Sequence, residues 1–350
     1  MVAVTQTIRR SNVRVDVSRA LTQIMRHGRT TEWIRANRAP WLATALHQEL
    51  LYGTLRHYLT LQALIGSHLK KPLKPKDLDL MHLMLVGAYQ LIYTDIAEHA
   101  AIHESVSACQ ALGKAWARGL INAVLRSIQR QTKSDSMQAS DPRSEHPDWM
   151  ADLFASQYGT AATEMMAANN QRAPMTLRIN TCVIAAADYK DQLKAAAVEF
   201  TEGPWPEALT LVQPQPAADL PGWQQGACAV QDLGAQCASQ IIMQLLINLP
   251  TTEGSLRLLD ACAAPGGKLF HLKEALTDAG IAHQLYAMDN KANRLKDLAQ
   301  IGQRLGHRTH EYNDQRRDSS DHQDVGPKDS ITLSCADAGQ SPLPFNEAFD

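Results

Sequence analysis

Residues 255–296 constrain the fold more tightly than any other part of the chain. An apolar run, Leu256-Arg257-Leu258-Leu259, stops at Asp260 and gives way to Ala261-Cys262-Ala263-Ala264-Pro265-Gly266-Gly267-Lys268. A helix-period segment over 269–276 follows. A second apolar run, Leu285-Tyr286-Ala287-Met288, then ends on another acid, Asp289, and a second helical segment occupies 292–305. Strand, glycine turn, helix, strand, acid, helix is a βαβ unit, and its ligand belongs at the carboxyl edge of the strands.

The residue types narrow that ligand. Gly266 and Gly267 have no Cβ, so the turn can take positive φ and a ligand can approach the backbone closely. The first N–H groups of the following helix have no partner within the helix and suit a carboxylate or phosphate. Asp289 falls at the tip of the second strand, where a carboxylate can accept from both hydroxyls of a ribose. A nicotinamide site needs G-x-G-x-x-G, and a P-loop needs G-x-x-x-x-G-K-[ST]. Here Cys262 stands where the P-loop's first glycine would be, and Leu269 follows Lys268. A zwitterion attached to a nucleoside fits better than a phosphate chain, and S-adenosylmethionine is such a molecule. The bland alternative is a glycine turn that only joins strand to helix, and the paired acid downstream counts against it.

The run from Asp260 to Lys268 resembles the first motif of the RNA cytosine-5 methyltransferases. Asp289-Asn290-Lys291-Ala292-Asn293-Arg294-Leu295 resembles the motif that follows it. The resemblance implies that Cys262, Ala263, Ala264, Pro265, Gly266, Gly267 and Lys268 wrap the methionine end of the cofactor. By the same resemblance Asp289 holds the ribose, and Asp337, after a third strand over 331–335, bonds the adenine amino group.

A chain of 350 residues has room for two or three domains. With aromatics at only 5%, its cores are expected to be rich in leucine and alanine, which favours helices. The net charge of -2 conceals a division: residues 1–145 carry 19 lysines and arginines against 11 acids, and the remainder carry 15 against 25. A basic front half suits a polyanion, nucleic acid being the commonest, or is simply a solvated face. The six cysteines show neither a disulfide framework nor zinc spacing. His99 and His103 stand at i and i+4, but no Glu follows His99, so no metal is expected. The first residues contain Arg9 and Arg10 but no apolar core of a signal peptide, so none is expected, and the longest apolar stretch, 80–93, is too short to span a bilayer. The expectation is a cytoplasmic monomer that uses neither membrane nor metal.

Residues 1–11 read as a polar start. Val13, Val17, Leu21 and Ile24 predict a helix over 12–25, and residues 43–69 continue at helical spacing. Pro72 and Pro75 interrupt that run, and Asp77 is placed to cap the next helix. That helix, 78–93, is expected to bury Leu78, Met81, Leu85, Ala88 or Tyr89, and Ile92. Helices over 98–112 and 115–131 complete an all-helical front. Tyr89 and Trp116 read as core or rim residues. Lys70, Lys71, Lys74 and Lys76 form a cluster that either contacts RNA phosphates or is simply exposed. Lys71-Pro72-Leu73-Lys74, Val86-Gly87-Ala88-Tyr89-Gln90-Leu91, His99-Ala100-Ala101-Ile102 and Gly119-Leu120-Ile121-Asn122-Ala123-Val124-Leu125-Arg126 are similar to the RNA-binding NusB-like domain. In one family, the bacterial 16S ribosomal RNA enzymes of the RsmB type, that domain precedes a cytosine-5 methyltransferase.

Residues 132–145 read as a linker, and 147–158 and 161–169 as short helices with Gly159 ending the first. Strands near 175–180, 208–212 and 227–231, with a helix over 186–200, make a small α+β module. Arg172-Ala173-Pro174-Met175-Thr176-Leu177-Arg178 and Val230-Gln231-Asp232, with Ala235-Gln236, look like the same family's connecting segment. A helix over 235–249 leads into the strand before Asp260. Residues 307–329 are polar and read as an insertion.

The expected architecture is thus multidomain. An all-α NusB-like bundle (1–131) and a linker (132–145) precede a small α+β module (146–234). A partial α/β Rossmann-like methyltransferase domain (235–350) dependent on S-adenosylmethionine follows. The resemblance implies methylation of carbon 5 of a cytosine in 16S ribosomal RNA, cytosine 967 in that family. It also implies an Asp-x-Pro-Cys-Ser motif on the next strand and a later Thr-Cys-Ser motif with the nucleophile, neither of which occurs in this sequence. Cys262 and Cys335 are not expected to replace it. The chain is therefore expected to be a C-terminally truncated fragment without turnover. Its first cofactor strand, central in such a sheet, would keep an unpaired edge. The alternative is a noncatalytic RNA-binding protein using the helical domain.

Overall fold

The computed structural model describes residues 12–38, 44–134, 141–247, 254–312, 329–340, 343–345 and 349. They divide into two compact units, with the boundary between Arg172 and Ala173.

The first unit is helical. It comprises α1 (Val13–His27), α2 (Thr31–Arg38), α3 (Ala45–Arg56), α4 (Tyr58–Ser67), α5 (Leu78–Tyr93), α6 (Glu98–Ala111), α7 (Arg118–Ser134), α8 (Asp148–Tyr158) and α9 (Ala162–Asn169). Local chemistry sets several ends. Asn12 Oδ1 accepts the Arg14 N–H at 3.0 Å and opens α1. Gly28, at φ 61°, closes it by sending its N–H to Ile24 O.

α5 occupies the expected residues, but its burial is not the expected stripe. Leu80, Leu83, Met84 and Val86 are buried along with Leu85, Ala88 and Tyr89, whereas Leu78, Met81 and Ile92 are only half-buried. The helix is apolar nearly all round because α1, α3, α4, α6 and α7 surround it. Its polar groups are satisfied inside. Gln90 donates to Val86 O at 2.9 Å and accepts from Arg14 Nε at 3.0 Å, and His82 Nδ1 lies 2.7 Å from Thr22 Oγ1.

Other expectations in this unit are corrected. The run over 43–69 breaks at His57, whose ring stacks on Tyr93 at 3.9 Å and whose Nδ1 lies 2.9 Å from Glu145 Oε1. Asp77 makes no capping bond, since its carboxylate pairs with Lys114 at 3.1 Å. α2 was not expected, its sequence being polar apart from Trp33, Ile34 and Ala36. Tyr89 does lie in the core, one of its two expected places, and donates to Glu49 Oε1 at 2.6 Å, while Trp116 is 65% exposed. Within the stretch read as a linker, α7 runs on to Ser134 and a 3-10 turn at Pro142–Glu145 packs on α4. Residues 135–140, like 1–11, lie outside the described residues.

The second unit holds two sheets. The first is antiparallel, order β2-β3-β1-β4, built from β1 (Met175–Ile179), β2 (Phe200–Glu202), β3 (Ala208–Leu211) and β4 (Cys228–Val230), with α10 (Ala186–Ala195) on one face. α10 is shorter than expected. It stops at Ala195, the chain turns through Ala197 at φ 55°, and Phe200 enters a strand. α11 (Leu233–Ile247) leads to the second sheet. That sheet consists of β5 (Leu256–Asp260), β6 (His283–Asp289), β7 (Arg308–Glu311) and β8 (Ser330–Cys335), with α12 (Gly267–Asp278) and α13 (Ala292–Arg304) as crossovers. All of its pairs are parallel and the order is β5-β6-β8-β7.

β5, expected at the centre of the sheet, pairs only with β6 among the described residues. β7 lies inside the stretch read as an insertion. Its side chains are largely polar and at most half-buried, so no apolar alternation marks it as a strand. Residues 313–328 of that stretch lie outside the described residues. No described helix is long and apolar enough to cross a membrane.

Burial pulls the His82 imidazole down to about 4, with Asp79 opposing the shift. The folded state thus binds that proton less readily than the unfolded chain, whose histidine titrates near 6.5. Stability from this group is full above about pH 6.5 and is lost as pH falls toward 4, by about 3 kcal/mol. Urea midpoints across that window should fall for the native protein, and the fall should be smaller in His82→Gln.

Candidate functional site

The loop after β5 is held from both sides. Asp260 Oδ1 accepts the Cys262 N–H at 3.1 Å, an Asx turn that bends the chain as the strand ends. Ala263 then donates to Met288 O on β6 at 2.9 Å, and Gly266 donates to Ala263 O at 2.6 Å. The Ala264–Pro265 peptide is cis. Burial pushes the Asp260 carboxyl up, and the charge of Asp289 adds to that, while the Cys262 N–H and Lys268 oppose it.

Gly266 is required here for two reasons. Its φ is 103°, and a Cβ would lie 2.3 Å from Phe270 Cε2. Gly267 begins α12 and would place a Cβ 3.7 Å from Gln231, an ordinary contact. No side chain caps α12, so the N–H groups of its first turn are presented as a set beside the loop. Ala263, Ala264 and Gly266 are buried, whereas Cys262, Pro265 and Lys268 are exposed.

One strand over, Asp289 is 3% exposed at the end of β6. Arg294 Nη1 lies 3.0 Å from Asp289 Oδ2, and the Lys291 N–H donates to Oδ1 at 3.2 Å. Arg294 Nη2 also donates to Ala264 O at 2.6 Å, so one side chain touches both the loop and the acid. At the next strand, Ala336 donates to Asp289 O at 3.1 Å, which brings the Asp337 turn to the same edge. Asp337 is exposed, and its Oδ1 accepts the Gly339 N–H at 2.9 Å. The structure thus gathers the three acids and the glycine turn along one carboxyl edge.

Behind the loop lies a buried group that sequence reasoning did not find. Phe270, fully buried, stacks on His307 with centroids 5.2 Å apart. His307 Nε2 lies 3.0 Å from Glu274 Oε1, and Glu274 Oε2 accepts from Arg178 Nη1 at 2.6 Å. Arg178 comes from β1 of the antiparallel sheet and has no exposed surface. Burial pulls its guanidinium down, against the pull of Glu274. Beside it Asn180 donates to Leu305 O at 3.0 Å. Nothing in the sequence pairs position 178 with 274. For Phe270 the only signal was its place one turn after the two glycines.

Two cavities flank the edge. One of about 260 Å³ lies between α11, β5 and α12, and is lined by Ile242, Leu258, Asp260, Lys268 and Leu272. The other, about 530 Å³, lies between α13 and the β7–β8 pair, and is lined by Leu295, Lys296, His310, Tyr312 and Cys335. Among the described residues no group of three or more His, Cys, Asp or Glu side chains could hold a metal ion.

Three family models match this chain in series. Residues 9–130 match the NusB family, 146–218 the ferredoxin-like domain of RsmF/B-like methyltransferases, and 246–333 the 16S rRNA methyltransferase RsmB/F family. A helical NusB-like region, a ferredoxin-like module and a parallel-sheet methyltransferase domain are the domain series of the RsmB/F class of RNA methyltransferases. Ribosomal RNA small subunit methyltransferase B of Citrobacter koseri is 34% identical over 310 residues, covering 85% of this chain and 68% of the relative. The protein of that name from Vibrio vulnificus is 37% identical over 265 residues, covering 75% of this chain and 59% of the relative. The chain belongs to the family of ribosomal RNA small subunit methyltransferase B, and spans roughly three fifths to two thirds of these relatives. The crystal structure of PH0851 shares the fold, with a TM-score of 0.62 at 16% identity, over 95% of this chain and 70% of that one.

Two predictions come from this geometry. Gly266→Ala should destabilise the second unit by about 1–3 kcal/mol through strain and overpacking, while Gly267→Ala should change stability by less than about 1 kcal/mol, both read by thermal denaturation. Glu274→Leu, which strands a buried arginine, should cost about 3–5 kcal/mol in urea denaturation, and the double change with Arg178→Met should recover most of it.

Proposed function

We propose that this chain serves the S-adenosylmethionine-dependent methylation of carbon 5 of a cytosine in 16S ribosomal RNA, at position 967 by family resemblance. The observation that carries this reading is the uncapped start of α12 beside a tight glycine loop, with Asp289 one strand away. The residues fit the cofactor. The N–H groups opening α12 suit its carboxylate, and a side chain at Gly266 would fill the bend. When bound, S-adenosylmethionine supplies an electrophilic methyl group. In this reading Cys262, Ala263, Ala264, Pro265, Gly266, Gly267 and Lys268 surround its methionine end, Asp289 accepts from the ribose hydroxyls, and Asp337 receives the adenine amino group.

Carbon 5 of cytosine attacks a methyl group only after a thiolate adds at carbon 6. Cys262 lies in the loop and Cys335 at the end of β8, and neither is assigned that step. The RNA would turn its target base out of the stack toward the loop. Exposed Lys70, Lys71, Lys74 and Lys76 in the helical unit supply charge for phosphates, and binding through them would weaken with salt.

Calorimetric titration with sinefungin, an analogue that keeps the nucleoside and the amino acid, tests the site. The native chain should bind it, and Asp289→Asn should weaken binding about tenfold or more, because hydrogen bonds to a charged acceptor are lost. A folded chain that takes up no sinefungin would remove the basis for this reading.

A further inference from the structure

Arg294 is oddly placed for a surface cation. It is the third residue of α13, in a first turn that contains no acid, where the helix dipole disfavours positive charge. Its side chain is 37% exposed, yet the guanidinium is committed to two buried partners. Nη1 lies 3.0 Å from Asp289 Oδ2 and 3.4 Å from Oδ1, and Nη2 lies 2.6 Å from Ala264 O. A guanidinium is a planar fork of fixed width, so these bonds together set the spacing between the glycine loop and the acid. An ammonium is a point charge and cannot hold both partners in that fixed geometry.

We propose that Arg294 is a positioning residue for the nucleoside ligand. It turns the Asp289 carboxylate and ties it to the loop, so that the ribose and the amino-acid end of one ligand are met together. An ionised carboxylate has about four acceptor sites, so Arg294 and the Lys291 N–H leave capacity for a diol. The inference rests on the reading of the site as one for S-adenosylmethionine.

The test compares the native chain with Arg294→Ala and Arg294→Lys. Each is titrated calorimetrically with S-adenosylhomocysteine and with its 2′-deoxy analogue, and thermal denaturation checks the fold. Arg294→Ala should weaken S-adenosylhomocysteine about tenfold, with Arg294→Lys in between, as expected for loss of a charge-assisted fork. The penalty should shrink to less than about threefold with the 2′-deoxy ligand, because Arg294 acts through the carboxylate that the missing hydroxyl would have met. A purely structural role would give the same penalty with both ligands. That result, or Arg294→Ala binding within about twofold of the native chain, overturns the proposal. Should Arg294→Ala fail to fold, Arg294→Lys decides by the same ligand dependence. A native chain that binds neither ligand defeats the cofactor reading and this inference with it. A native chain that binds both, with unaltered variants, defeats this inference alone.

Discussion

One ion pair that water does not reach marks where the two sheets of the second unit meet. Arg178 leaves an inner strand of the antiparallel sheet, β1, and meets Glu274 on α12, the helix that begins at the glycine loop. Two charges taken out of water repay their desolvation only when geometry and further hydrogen bonds are good. Here His307 lies on the second oxygen of Glu274, while Arg178 Nε and Nη2 are left without partners among the described residues. Asn180, on the same face of the chain as Arg178, separately holds the end of α13 through Leu305 O. β1 therefore has two buried faces. Leu177 and Ile179 enter the core under α10, and Thr176 and Arg178 point the other way, toward the helices of the parallel sheet. The ionic group works only if strand and helix stand at one relative height.

On the far side of α12 the same logic serves the site. Three strand ends, at Asp260, Asp289 and Asp337, stepping two residues further along from each paired strand to the next, collect negative charge beside Lys268 and Arg294. The loop is fixed by backbone bonds, and Asp289 is fixed by side-chain bonds.

Much of this could be read from the chain. The residues of α5, of β1 and of the β5–α12–β6 unit follow from periodicity, punctuation and the acids at the strand ends. What could not be read has physical causes. α5 is buried all round, so a one-faced stripe understates it. β7 borrows its strand character from β8 and carries largely polar side chains, so no alternation announces it. Arg178 looks like the wet face of a half-buried strand until a helix almost a hundred residues later covers it. Asp77 follows two prolines as a cap should, but Lys114 is the stronger claimant for its carboxylate. Arg294 stood inside a quoted motif with no role, because a sequence gives spacing along the chain and not across a sheet.

The stacking of Phe270 on His307 ties the bend to the ion pair. The ring of Phe270 fills the space that a side chain at Gly266 would need, and Gly302 closes its other side. Phe270 cannot recede without unseating His307, and His307 holds half of Glu274. The bend thus rests on an anvil, and a methyl group added at position 266 would press on Phe270 and, through its stack, on the histidine beside Glu274.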